Sequence, residues 1–230
     1  MRYILTDIEG TTSSVSFVYD GLYPYFMQNI RSFLASHSSH TDMLGPVAAV
    51  RDTVLREEAK LIPQEDVAST LIEWTENDRK HGALKAIQGA VWRLAYEKGE
   101  IRGHIYEDVP PALERWTRSG LSIGVYSSGS VEAQKLIFGY SVLGDLEHFF
   151  SDHFDTGTGP KREALSYNNI RQKLGIPADE ILFLSDTEAE LDAAEKAGFL
   201  TTQLVREGTR PGKRHRVAHD FSEIQLSDYD

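Results

Sequence analysis

Apolar residues gather in short unbroken runs at Tyr3–Thr6, Leu121–Tyr126, Ile181–Leu184 and Leu200–Val205. Runs that are continuous rather than alternating predict strands of a parallel sheet covered on both faces. Between them the apolar spacing changes to the helical period, over Val109–Arg118, Val131–Phe138, Arg162–Leu174 and Ala189–Ala197. Gly120, Gly175 and Gly198 follow three of these helices and predict their C-terminal stops. Strand and helix in alternation predict an α/β fold with a doubly wound, mostly parallel sheet.

One long segment breaks that rhythm. From residue 16 to residue 103 there is no strand pattern, and helical spacing runs over Gly21–Ala35, Pro46–Lys60, Glu65–Lys80 and Leu84–Lys98, with a polar loop at Ser36–Asp42. This is too much helix for one crossover between strands. The expectation is a helical domain over residues 16–103, inserted after the first strand of an α/β core domain made of residues 1–15 and 104–230. No internal repeat or low-complexity tract interrupts either part.

Composition narrows the picture only where it excludes. With 230 residues, the chain suits one domain carrying an insertion. It has no cysteine, so disulfides and thiolate metal sites are ruled out. A formal charge of -11 disfavours nucleic acid and anionic membranes as partners. No apolar run reaches the ~18 residues that span a bilayer, and the first residues show no signal-peptide pattern. A cytoplasmic monomer acting on a small molecule is expected. Arg206–Arg216 concentrates basic residues among Gly208, Pro211 and Gly212, and reads as a solvated loop.

Ligands of open α/β sheets bind beyond the carboxyl ends of the strands. Three of the runs end there in chemically capable residues. The first is followed by Asp7, Glu9, Thr11 and Thr12, the second by Ser127, Ser128 and Gly129, and the third by Ser185, Asp186, Glu188 and Glu190. A glycine-rich turn, TGTGPK, brings Lys161 to the start of a helix. Taken singly, each has a plainer reading: a turn for the Asp-x-Glu pair, a helix N-cap for the serines or for Asp186, and a solvated lysine. Their order along one edge is what points to chemistry.

Phosphoryl transfer needs this combination. An aspartate at a strand end can attack phosphorus and form an acyl phosphate that water then hydrolyses. Asp7 with Asp186 could hold Mg²⁺, a hard cation that prefers oxygen ligands. Lys161 would add positive charge beside the transferring group, and the hydroxyls of Ser127 or Thr11 would donate to phosphate oxygens. Glu9, two residues beyond the nucleophile, could protonate the leaving oxygen and then activate water.

These motifs in this order resemble the haloacid-dehalogenase-like hydrolases, and the helical insertion resembles the cap domain of that superfamily. TDIEGTTS, VYSSGSVEAQKLIFGYS, HFDTGTGPK and ILFLSD, with LYPY and LKAIQGAVWRLAY in the insertion, more closely resemble the enolase-phosphatases of methionine salvage. Glu at position 9, where most phosphatases of the superfamily have Asp, fits that family. The resemblance implies a bifunctional enzyme that enolises 2,3-diketo-5-methylthiopentyl-1-phosphate and then removes its phosphate to give the acireductone. A general phosphatase or phosphomutase on the same fold is the alternative.

The resemblance also implies site residues. Asp7, Glu9 and Asp186 would form a site for one Mg²⁺ per subunit, with Glu9 offering its backbone carbonyl. Asp7, Glu9 and Lys161 would be catalytic, and Ser127, Ser128 and Lys161 would bind substrate. Glu190 occupies the place of a second acid in the last motif, without an assigned role. Trp92, Gln88 and Tyr23 in the insertion could line a methylthio pocket, although Trp92 reads more simply as core.

Overall fold

The apolar runs become the central strands of a six-stranded sheet in a computed structural model that describes residues 1–229. The strands are β1 (Tyr3–Thr6), β2 (Ser122–Tyr126), β3 (Asp152–Phe154), β4 (Ile181–Ser185), β5 (Leu200–Leu204) and β6 (Arg216–Ala218). All neighbours pair in parallel, in the order β3-β2-β1-β4-β5-β6. The order reverses at β1, which lies between β2 and β4. The crevice beyond the β1 and β4 carboxyl ends is therefore the topological switch point, where such sheets bind ligands.

Two of these strands, β3 and β6, are absent from the sequence reading. Each has three residues and lies at a sheet edge, and Asp152, His153 and Arg216 break their apolar character. Short, charged edge strands resist pairing with other chains, and the same property hides them from a hydrophobicity pattern.

The helices are α1 (Tyr23–His37), α2 (Thr41–Glu58), α3 (Val67–Glu76), α4 (Gly82–Glu97), α5 (Val109–Arg118), α6 (Val131–Gly139), α7 (Ala164–Leu174) and α8 (Glu188–Lys196). The chain divides into two compact units: residues 1–17 with 102–230, and residues 18–101. In the first, alternate residues of each strand feed two separate cores. Ile4, Ile123, Val125 and Leu182 pack with Val109, Leu113 and Trp116 of α5. Tyr3, Leu5, Tyr126 and Phe183 pack with Tyr167 and Ile170 of α7 and Leu191 and Ala194 of α8. Each such aliphatic or aromatic side chain contributes on the order of 1.5–3 kcal/mol on burial. Gly120, Gly175 and Gly198 have φ of +82°, +68° and +90°, as helix stops require.

The second unit holds α1 to α4 around Phe26, Ile30, Val50, Leu71, Ile87 and Ala95, all fully buried. A π-helical turn over Phe17–Leu22 precedes α1, so the regular helix begins at Tyr23 rather than Gly21. Helix α2 begins at Thr41, inside the expected loop, and Pro46 lies within it near its start. Trp92 is core: it is buried, and its Nε1–H donates to the Leu22 carbonyl at 3.1 Å. Gln88 is buried too, its amide donating to Thr75 Oγ1 at 3.3 Å.

Candidate active site

Asp7 is the first residue beyond β1, and its N–H donates to the Leu184 carbonyl of β4 at 2.9 Å. That bond carries the sheet pairing one residue past the strand and fixes Asp7 at the switch point. Asp7 Oδ1 accepts the Ile8 N–H at 2.7 Å. The chain then folds back on itself, with the amides of Thr11, Thr12 and Ser13 donating to the Ile8 carbonyl at 3.1, 3.0 and 2.9 Å. Gly10 makes the turn possible. Its φ is +70°, and a Cβ there would collide with Asp186 Oδ2. Glu9 is half-buried in this turn, its backbone pairing with Ser13.

Asp186 approaches from the end of β4. Its N–H donates to Thr11 Oγ1 at 3.0 Å, and its Oδ1 accepts from the Thr187 hydroxyl at 3.1 Å. It does not cap α8, because Thr187 occupies the N-cap position, and no side chain makes a capping bond there. Burial first, and the charge of Asp7 second, push the Asp186 carboxyl up to about 6.

Lys161 is held by an array of hydroxyl and amide donors. Successive carbonyls of the turn each accept a side chain: Thr158 from Asn169 at 3.1 Å, Gly159 from Tyr126 at 2.8 Å, Pro160 from Ser166 at 2.7 Å and Lys161 from Tyr167 at 2.7 Å. Gly159, with φ +143°, has no room for a Cβ against Ser166 Oγ. The regular helix starts only at Ala164, so Lys161 belongs to this pinned turn rather than to α7. Its side chain is 6% exposed, with Nζ 2.7 Å from Asp7 Oδ1 and 2.6 Å from Glu190 Oε2. The solvated-lysine reading is thereby excluded. Burial alone would lower the Lys161 ammonium, but the carboxylates of Asp7 and Glu190 outweigh it and hold it above its usual range. Glu190 is pushed up to about 7, by burial first and by Asp7 second, with Lys161 opposing.

The serines lie at the end of β2. Ser127 is buried, takes the Phe154 carbonyl through its N–H at 3.2 Å, and accepts the Gly129 N–H on Oγ at 3.2 Å. Ser128 is half-buried. The N-cap of α6 is Ser130, whose Oγ accepts from the Ala133 N–H at 3.2 Å. Capping therefore explains neither Ser127 nor Ser128.

The charge balance around this constellation bears on a metal ion. Asp7, Asp186 and Glu190 bring three acids into one electrostatic neighbourhood, against Lys161 alone. Burial is the main reason Asp186 and Glu190 are raised, the charge of Asp7 adds to it, and a hard dication would relieve that second part. Among the described residues, no group of three or more His, Asp or Glu side chains forms a ready metal cage. The arrangement fits Mg²⁺, which is typically bound through one or two carboxylates while keeping several waters.

A buried aspartate–lysine pair at the switch point of a parallel sheet, with a second aspartate from the next strand, places the chain in a defined class. Residues 1–198 match the family described as "Hydrolase: haloacid dehalogenase-like hydrolase", and the chain belongs to it. Within that class the chain belongs with the enolase-phosphatases. It is 50% identical to "Enolase-phosphatase E1" of Marinobacter nauticus, over 97% of this chain and 96% of the relative. It is 46% identical to the protein of the same name from Picosynechococcus sp., over 97% and 98%. Among solved structures, the UTR4 protein of Saccharomyces cerevisiae shares 33% identity and a TM-score of 0.78, covering 97% of this chain and 99% of that one. CbbY from Rhodobacter sphaeroides, crystallised with phosphate, is 16% identical with a TM-score of 0.58, over 97% of this chain and 96% of that one, and shares the fold alone.

Sequence reasoning missed two partners of the site. Glu190 had no assigned role, yet it shares Lys161 with Asp7. Its place four residues after Asp186, on the first turn of α8, was the available signal. Arg206 was read within a solvated loop and is buried instead, whereas Arg210, Lys213 and Arg214 are exposed. Nothing in its local sequence separates it from those neighbours.

Proposed function

We propose that this chain enolises 2,3-diketo-5-methylthiopentyl-1-phosphate and then dephosphorylates the enol to 1,2-dihydroxy-3-keto-5-methylthiopentene, the acireductone of methionine salvage. One observation carries the reading. Asp7, Lys161 and Asp186 converge at the carboxyl ends of β1 and β4, in a chain 43–50% identical to enolase-phosphatases over nearly its whole length.

In the phosphatase step, a carboxylate oxygen of Asp7 attacks phosphorus and the bond from phosphorus to the leaving oxygen breaks. The Glu9 carboxylic acid gives its proton to that oxygen. Glu9, now a carboxylate, takes a proton from water as the water attacks the aspartyl phosphate, releasing inorganic phosphate and restoring Asp7. Lys161 keeps Asp7 oriented and places positive charge beside the transferring group. Ser127 and Ser128 offer hydroxyl donors to the phosphate and to the developing enolate oxygen. In the enolisation step, a base removes the C–H proton beside the carbonyl while a hydroxyl donor meets the developing enolate oxygen. Asp7 and Asp186 through their carboxylates, and Glu9 through its main-chain carbonyl, would hold one Mg²⁺ per subunit. When bound, the ion supplies neutralisation of phosphate charge and polarisation of the diketone oxygens.

The enzyme is assigned to the cytoplasm, as a monomer without nucleic-acid or membrane partners. The charge of -11 supports the absence of nucleic-acid and anionic-membrane partners, and among the described residues no helix is long and apolar enough to cross a membrane. The decisive experiment mixes the protein with the diketone phosphate and Mg²⁺ and follows enol absorbance and inorganic phosphate together. An enol that rises and then decays with phosphate release is expected. Phosphate without an enol would reduce the reading to a plain phosphatase, and neither product would refute it.

A further inference from the structure

Arg206 reaches the candidate site from the segment after β5. All five of its N–H donors are occupied. Nε and Nη2 both donate to the Thr11 carbonyl, at 3.1 and 3.0 Å. Nη1 and Nη2 donate to Asp108 Oδ1 and Oδ2 at 2.9 and 2.7 Å, and Nη1 also reaches the His219 carbonyl at 3.3 Å. The guanidinium lies over the Tyr106 ring, 4.2 Å from its centroid. Asp108 Oδ2 is in turn anchored by the Phe221 N–H at 2.8 Å. A planar fork satisfied on every side has one available orientation.

What it holds is the return of the turn that carries Asp7 and Glu9. Thr11, gripped by its carbonyl, uses its hydroxyl to accept the Asp186 N–H at 3.0 Å. Asp186 is held from its other side by Gln203, whose Nε2 donates to the Asp186 carbonyl at 2.9 Å while its Oε1 accepts the Gly212 N–H at 2.7 Å. The segments bearing the two aspartates are thus joined through Thr11, and Arg206 and Gln203 brace the junction. Both lie beyond residue 198, where the match to the hydrolase family ends. An ion pair serving stability alone needs Asp108. It has no need of two donors on one carbonyl of the turn after Asp7.

We propose that Arg206 is a positioning residue for the metal site: through Thr11 it sets the distance between the Ile8–Ser13 turn and Asp186, and Gln203 completes the clamp. This rests on the reading of Asp7 and Asp186 as Mg²⁺ ligands. Lysine at position 206 keeps the charge but has one nitrogen, which cannot serve Asp108 and Thr11 together in this geometry. Groups that orient metal ligands from outside typically change metal affinity by about 10- to 100-fold when removed.

The test uses full-length Arg206→Lys, Thr11→Val and the double variant. Leu113→Ala, in the core beside α5, serves as a control for lost stability. Mg²⁺ affinity is read by titration calorimetry, and amide exchange of residues 8–13 and 185–187 is read in the metal-free protein. Arg206→Lys is expected to weaken Mg²⁺ binding about 10-fold and to speed exchange in both segments, with the strands unchanged. Thr11→Val should do the same, and the double variant should be little worse than Thr11→Val alone, because both cut one connection. If Arg206→Lys only lowers the melting temperature, with affinity and exchange like those of Leu113→Ala, the clamp is refuted. Additive effects refute it as well. If Arg206→Lys does not fold, Thr11→Val must still weaken binding, since it cuts the same link and leaves Arg206–Asp108 intact. A wild type that neither binds Mg²⁺ nor releases phosphate overturns the functional reading, while the exchange measurement still decides the clamp.

Discussion

Lys161 Nζ stands 2.7 Å from Asp7 Oδ1 with both side chains almost sealed from solvent, at 6% and 8% exposure. The same ammonium reaches Glu190 at 2.6 Å, so a single cation answers two buried acids. Breaking a buried pair by removing one partner leaves the other charge uncompensated, at a cost of roughly 3–5 kcal/mol. Lys161→Met is therefore expected to destabilise the metal-free protein by an amount of that order in urea unfolding. It should also reduce phosphate release about 10²- to 10³-fold at saturating Mg²⁺, the usual loss for one charge-stabilising donor. A variant that keeps wild-type turnover would show that Lys161 is only structural.

The nucleophile is tested by a change that preserves shape. Asp7→Asn keeps the side-chain volume and can still accept the Ile8 N–H, which donates to Asp7 Oδ1 at 2.7 Å. It removes the charge proposed to attack phosphorus and one carboxylate of the proposed metal site. Phosphate release should drop by about 10³-fold or more, as when the nucleophile of a catalytic unit is lost. Far-ultraviolet circular dichroism should be unchanged, because the backbone bond from Asp7 to Leu184 is independent of the side chain. Turnover near the wild-type rate would exclude an aspartyl phosphate.

Much of this architecture was legible in the sequence because parallel strands buried on both faces leave unbroken apolar runs, and β1, β2, β4 and β5 were each marked by one. The helical insertion was legible for the complementary reason, a long helical periodicity without any such run. Strands β3 and β6 were not, since edge position lets Asp152 and Arg216 into them. The acids, serines and lysine stood out because their types fit phosphoryl chemistry at strand ends. The support beneath them did not. The donors pinning the Lys161 turn come from Tyr126, Ser166, Tyr167 and Asn169, and Arg206 lies far along the chain from Thr11. Such partners are brought together by the tertiary fold, and local pattern carries no trace of them.

The raised carboxyls give a signed dependence on pH. Burial and Asp7 lift Asp186 to about 6 and Glu190 to about 7, against ordinary values of 3.8 and 4.5. An acid raised in the folded state carries no penalty below its ordinary value and disfavours folding increasingly as pH rises towards the folded value. Metal-free protein should therefore lose stability between pH 5 and about pH 7 through these groups. Mg²⁺ should offset that loss, and its affinity should weaken below pH 6 as protons compete for Asp186. Urea melts at pH 5.5, 7 and 8, with chelator or with Mg²⁺, give the comparison. Glu190→Gln should flatten the metal-free profile. A metal-free protein that becomes more stable across this window, with Glu190→Gln indistinguishable from wild type, would contradict the assignment.

Glu9 decides whether the two reactions can be separated. It lies half-buried in the turn held by Gly10, two residues from Asp7, and the phosphatase step asks its side chain for one proton. General acid–base catalysis typically contributes about 10²- to 10⁴-fold, and Glu9→Gln removes that contribution while keeping the backbone carbonyl proposed for the metal. In the proposed mechanism enolisation draws on the metal and on the hydroxyls of Ser127 and Ser128, which the substitution leaves in place. The expected outcome on rapid mixing with the diketone phosphate is an enol absorbance that rises and persists, with phosphate release slowed by that factor. If Mg²⁺ binds normally but no enol forms, Glu9 is the enolisation base, and the first chemical step depends on the same carboxyl as the second.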